Sequence, residues 1–342
     1  MIAAEYRLAM PLKRKHVLVA IAIAAIIFVA GIVYTASHTP GAENGSINVV
    51  ATFYPLAYFA SEIGGDYASV ASLIPYNTEV HSWQPSTNDM LAASNADILI
   101  YNGAGIDRWF EDSLLTAINT TGKLVVETAA GLPLIAGSEG DPYHDHDYGS
   151  EHENETAESQ EVQDHGLYDP HTWISPALAR QQAQKIYEAF VQLDPSHSAY
   201  YEQRWALLSE KLEDLDQAYA LNLSAKTKST IFVTHGAFGY LADRYDFEQV
   251  SVIGISADEQ PSASAFAGIV DLMVERDTYV IFLDPVYEDK YANTLKAELE
   301  SRTSHTVTIL ELYLMLGPVN GMDYFDQMEA NLLNLKLGLG VP

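Results

Sequence analysis

The sequence predicts an α/β fold: two parallel-sheet lobes joined by a long backbone helix, with a cleft between them. Three observations predict the architecture. Short apolar runs rich in β-branched residues alternate with helical stretches in both halves of the 342-residue chain, the pattern of parallel βα units. One long amphipathic stretch separates the halves. The chain is 48% apolar and has no cysteine, so it builds folded cores without disulfides, thiolate metal sites or a cysteine nucleophile.

The first sixteen residues carry Arg7, Lys13, Arg14 and Lys15, after which Val17 to Tyr34 is apolar or small throughout. This reads as a cytoplasmic basic region (1–16) and a membrane anchor or signal peptide (17–36), close to the roughly 20 residues that span a bilayer. A polar tether (37–46) follows, and everything beyond is expected on the outer side of the cytoplasmic membrane, either anchored or secreted after cleavage. Residues 47–175 form the first lobe. Its strands lie in "INVVATFYP", "YASVASLIP", "ADILIY" and "KLVVET", and its helices in "LAYFASEIGG", "STNDMLAASN" and "IDRWFEDSLLTAINTTG". Residues 176–195 are a further helix, and 196–224 the long linking helix, where Trp205, Leu208, Leu212, Leu215 and Tyr219 recur at helical spacing. The second lobe, 225–342, repeats the alternation with strands in "STIFVTH", "VSVIGI", "TYVIFLDP" and "TVTIL".

A formal charge of −28 excludes a nucleic-acid surface, which needs clustered Lys and Arg. Such acidity suits a solvated surface or one that gathers cations. Open α/β sheets bind ligands beyond the carboxyl ends of their strands, and at strand exits or in connecting loops, from which a side chain can enter that crevice, stand His81, His171, His235 and Glu311. Three imidazoles and a carboxylate make a tetrahedral set for zinc, whereas a harder ion calls for more oxygens. Asp284 is a competing carboxylate and Glu79 a weaker one. Asp169 is a candidate hydrogen-bond partner for His171, and Trp83, Tyr101 and Trp173 are candidates for the walls. With four protein ligands and no HExxH pair on a helix, a zinc metallohydrolase is the least favoured reading, kept open only by Asp284 as a conceivable base, and no enzymatic activity is expected.

The segments "TEVHSWQPSTND", "DPHTWISP", "THGAFGYLADRY", "IFLDPVYEDKYANTLKAE" and "MDYFDQMEANLLNLKLGL" resemble, in order, the motifs of the TroA-like metal-binding subunits of ABC transporters. The resemblance runs from about residue 47 to 340. It implies two lobes on a rigid helix and one ion held between them. The ion would be delivered to a membrane permease with its cytoplasmic ATPase, by a subunit expected to act as a monomer. His81, His171 and His235 match the family's histidine positions; the last is often glutamate in manganese-type members, so histidine favours zinc over manganese. Glu311 stands where the family has an aspartate. An anchored adhesin or sensor would share the same residues.

Within the first lobe lies a polar loop, 141–168, in which His144, His146, His152 and His165 are interspersed with carboxylates. It has no apolar periodicity and cannot form a core, but such tracts bind metals loosely, and zinc-type members often carry one here. Deleting residues 143–165 is therefore expected to leave one tight zinc equivalent and remove the weaker extra ones in a titration; persistence of the extra equivalents would make the loop a solvated linker.

Overall fold

The computed structural model describes residues 46–137, 168–254 and 262–342. Strand β1 (Ile47–Ala51) lies between β2 (Ala68–Ser72) and β3 (Ile98–Tyr101), with β4 (Leu124–Glu127) outside β3, all parallel. Val49 faces Val70 on one side and Ile98 on the other. β3 is buried along its whole length, as expected for the continuous apolar run of an interior parallel strand. The second sheet repeats the order: β5 (Thr230–His235) between β6 (Glu248–Ile253) and β7 (Val280–Leu283), then β8 (Thr308–Glu311). In both sheets the chain reverses its direction of progress at the first strand. The carboxyl ends of β1 and β3, and of β5 and β7, therefore flank the positions where such sheets bind ligands.

The helices follow the expected segments. Helix α1 (Tyr54–Gly64) has Pro55 in its first turn and ends at Gly65, whose φ of 49° suits a residue without Cβ. Helix α2 (Thr87–Asn95) starts with a Ser86–Asp89 capping box. The segment 106–122 departs from a single helix. It contains a π-helical turn, Phe110–Leu114, and a short α3 (Leu115–Ala117) before the turn at Gly122. Ahead of the π-helical turn, the buried carboxylate of Asp107 accepts from the backbone N–H of Asn102 and Gly103 and from the Thr52 hydroxyl, which holds residues 102–107 in a tight turn.

Helices α4 (Pro176–Leu193) and α5 (Ser198–Leu223) come next, and α5, at 26 residues, extends about 39 Å at 1.5 Å per residue. Its expected stripe is real: Leu208, Leu212, Leu215 and Tyr219 are buried, and Trp205 stacks on Tyr187. Helices α6 (Gly239–Arg244), α7 (Ala263–Glu275), α8 (Lys290–Thr303) and α9 (Tyr324–Gly338) belong with the second sheet. α5 packs against α1 and α4 and also against α9, where the Tyr219 hydroxyl donates to the Met328 carbonyl at 2.6 Å. Among the described residues no helix is long and apolar enough to cross a membrane; the apolar segment 17–34 lies outside them.

One apolar cluster runs through both halves, from Phe53 and Leu99 to Val233, Leu314 and Tyr324. Trp173 is fully buried within it. Its ring meets Phe53 edge-on at 4.7 Å, its indole N–H donates to the Leu314 carbonyl at 2.9 Å, and its own carbonyl accepts the Tyr324 hydroxyl at 2.6 Å. The short segment around Trp173 is thereby tied to both sheets. Tyr324→Phe leaves a buried carbonyl unpaired and is expected to cost about 1–2 kcal/mol. Trp173→Ala adds a large cavity and is expected to cost about 3–5 kcal/mol. Urea denaturation measures both, and equal, small losses would contradict the clasp.

Candidate metal centre

Each histidine of the site comes from a different piece of chain. His81 lies in the irregular stretch between β2 and α2. That stretch is pinned to the loop after β8, where Asn77 donates from its backbone N–H to the Leu316 carbonyl at 2.9 Å and from its amide to the Pro318 carbonyl at 3.0 Å. Gly317 permits the approach, since a Cβ there would stand 2.8 Å from the Asn77 nitrogen. His171 precedes a single 3-10 turn, Thr172–Ile174, and His235 is the last residue of β5.

The three imidazoles converge. Their ligand nitrogens lie within 4.8 Å of one another, and the Nε2 atoms of His171 and His235 are 3.3 Å apart. Two nitrogens on one tetrahedral zinc at about 2.0–2.1 Å would be separated by about 3.3 Å. His171 and His235 are almost completely buried, and His81 is half-buried.

Burial holds His171 and His235 well below the ordinary imidazole range, and the neighbouring histidines further disfavour their charged forms. Both rings are therefore neutral at physiological pH, the form that ligates a metal. Asp169 orients His171: its Oδ1 accepts from the His171 backbone N–H at 3.0 Å and lies 2.8 Å from Nδ1. With the proton on Nδ1, the lone pair on Nε2 faces the other rings. Burial pushes the Asp169 carboxyl up to about 7, against the lowering effects of the His171 N–H and of His81. Tyr240 holds the same segment by donating to the Asp169 carbonyl at 2.6 Å. The Nδ1 of His235 is buried with no hydrogen-bond partner among the described residues.

The two expected carboxylates do not join this group. Glu311 is exposed at the end of β8, and its Oε2 accepts the Tyr313 hydroxyl. Asp284 is buried, but its oxygens accept the backbone N–H groups of Val286, at 2.7 Å, and Leu314. Burial raises its carboxyl to about 7, and Glu311 adds to the rise. Glu79 does something the spacing could not foretell: it accepts from the His81 N–H at 2.6 Å and from the Tyr287 hydroxyl at 2.8 Å. The Tyr287 ring lies 5.2 Å from that of His235. Of the expected wall residues, Trp173 stands 5.3 Å from His171, Trp83 packs on Trp109, and Tyr101 sends its hydroxyl to Glu111 and Glu127. His144, His146, His152 and His165 lie outside the described residues.

These shifts set a pH dependence. In the metal-free fold the depressed histidines lose stability as pH falls below about 6.5, where the unfolded chain binds protons that they do not. The raised Asp169 and Asp284 act in the opposite sense between about 4 and 7. A metal on His171 Nε2 leaves the proton on Nδ1 and makes the ring a stronger donor, which favours an ionised Asp169, and a carboxyl with pKa about 7 is roughly nine-tenths protonated at pH 6. Binding at pH 6 is expected to release about one proton from Asp169, whereas three imidazoles of ordinary pKa would release roughly 2.3. Calorimetry in two buffers of different ionisation enthalpy reads this number. Release of two or more protons, or release unchanged in Asp169→Asn, would contradict the assignment.

The family profile described as ZnuA, "Zinc-uptake complex component A periplasmic", matches residues 49–338. The high-affinity zinc uptake system protein ZnuA of Bacillus subtilis is 31% identical over 294 residues, which cover 86% of this chain and 88% of that one. The zinc-binding lipoprotein AdcA of Streptococcus pneumoniae is also 31% identical over 294 residues, and the match spans 56% of its length. Among solved structures, the Zn(II)-bound ZnuA-like domain of Streptococcus pneumoniae AdcA aligns with a TM-score of 0.68 at 27% identity, over 86% of this chain and 99% of that one. Matched over most of its length in sequence and in fold, the chain belongs to the ZnuA family of zinc-uptake components.

Proposed function

We propose that this chain captures Zn²⁺ on the outer side of the cytoplasmic membrane and passes it to the permease of an ABC transporter powered by a cytoplasmic ATPase. The observation that supports this most is the convergence of His81, His171 and His235, two of them buried and held neutral, with Asp169 fixing the tautomer of one. Three imidazoles favour zinc over manganese, which prefers oxygen donors. Capture and release contain no bond-making step on a substrate, so the function is transport rather than catalysis.

In this reading the three histidines are the principal ligands and Glu311 stays with Tyr313. The histidine-rich loop gathers ions at low affinity, and the N-terminal apolar segment keeps the monomeric protein at the membrane or directs its export. Titrating residues 37–342 with zinc and with manganese tests the proposal: one tight zinc site is expected, lost in His235→Ala. A tight manganese site with none for zinc would contradict it. Glu311→Gln is expected to hold the zinc Kd within about threefold, because losing a true ligand costs far more than losing a neighbour of one; a larger loss would put the carboxylate on the ion.

A further inference from the structure

We infer that Asn102 is a positioning residue of the zinc site, holding the peptide on both sides of His171; the inference rests on the zinc-binding reading above. Asn102 stands at the carboxyl end of β3 and is completely buried. Its amide nitrogen donates to the Pro170 carbonyl and to the Gly103 carbonyl, each at 3.0 Å. Its amide oxygen accepts from the Thr172 hydroxyl at 3.2 Å and from the Gln182 amide at 2.9 Å. Both donors and both acceptor positions are thus used, and two of the four bonds bracket His171.

The support behind Asn102 is equally specific. Asp107 fixes the turn by accepting from the N–H groups of Asn102 and Gly103 at 2.7 and 2.9 Å. Gln182 donates both amide hydrogens, to Asn102 and to the Thr128 hydroxyl at 3.0 Å, while its own buried oxygen has no hydrogen-bond partner among the described residues. A buried acceptor without a partner costs stability, so a glutamine at this place is explained by its donors. Asp169 sets the rotation of the His171 ring, and Asn102 sets where the backbone that carries the ring is held. Burial makes the second task necessary, since a displaced Nε2 cannot be replaced by water from solvent.

Asn102→Asp keeps the shape but turns the donor toward Pro170 and Gly103 into an acceptor facing two carbonyls. It is expected to raise the zinc Kd at least tenfold, in line with the roughly 10- to 100-fold effects of groups that orient metal ligands, and to change the visible spectrum of the cobalt-substituted protein. Thr172→Val removes one of the two bracketing bonds and carries the test if Asn102→Asp does not fold; a rise of about two- to fivefold is expected, below that of the full clamp. Leu299→Ala, in the separate apolar cluster of the second sheet, controls for stability: it lowers the melting temperature and leaves the Kd unchanged. If Asn102→Asp lowers only the melting temperature, with the Kd within twofold of wild type and the cobalt spectrum unchanged, the inference is overturned. If Asn102→Asp is unfolded, a Thr172→Val Kd within the same twofold limit overturns it. Wild-type protein with no tight zinc site would instead remove the zinc-binding reading, and this inference with it.

Discussion

The metal site depends on how five residues, Asp169 to Trp173, are held. They belong to neither sheet, yet both halves of the protein grip them. From the first half, Asn102 bonds to Pro170 and Thr172; from the second, Tyr240 bonds to Asp169, Leu314 accepts from Trp173, and Tyr324 donates to it. Buried backbone groups must find partners, and here the partners come from opposite sides. Any displacement of one half against the other would break several buried hydrogen bonds together, so the segment acts as a clasp as well as a ligand carrier.

Bringing three imidazoles together has a physical requirement. If protonated, they would repel one another in a low-dielectric site. Burial and mutual proximity remove this difficulty by keeping His171 and His235 neutral. Asp169 bonds the far side of His171 rather than its ion-facing nitrogen. The centre therefore offers nitrogen donors, two of them held neutral by burial, with a carboxyl group placed behind one of them. Such a set favours a borderline-soft divalent ion over a hard one.

Much of this was legible in the sequence. The interior strands were legible as apolar runs such as "ILIY" and "IFV", and the histidines stood at strand exits or in the loops between elements. Glu311 was harder to read: a carboxylate at a strand end has neighbours on either face, and nothing local says that Tyr313 will take it. By sequence Asp284 is a competing carboxylate ranked below Glu311, and nothing in its strand foretells that backbone N–H groups from Val286 and from Leu314 bond to it. The helix expected over 106–122 is broken into a π turn and a short α-helix, and its start is fixed by Asp107, whose partners Thr52 and Asn102 follow β1 and β3. Nothing in "YNGAG" singles out Asn102 by residue type, since asparagine beside glycine is common in turns. The contacts of Asp107 with Thr52, of Asp284 with Leu314 and of Asn102 with Pro170 join residues distant in sequence, which periodicity and spacing do not encode, whereas Glu311 and Tyr313 are two residues apart and only the direction of their side chains decides the pairing.

The central claim is that one zinc ion sits on three imidazoles. X-ray absorption at the zinc edge, on protein loaded with a single equivalent, tests it without relying on a substitution. The account predicts a first shell containing three imidazole nitrogens at about 2.0–2.1 Å with the outer-ring scattering of histidine; a shell dominated by oxygen, or holding fewer than three imidazoles, would contradict it.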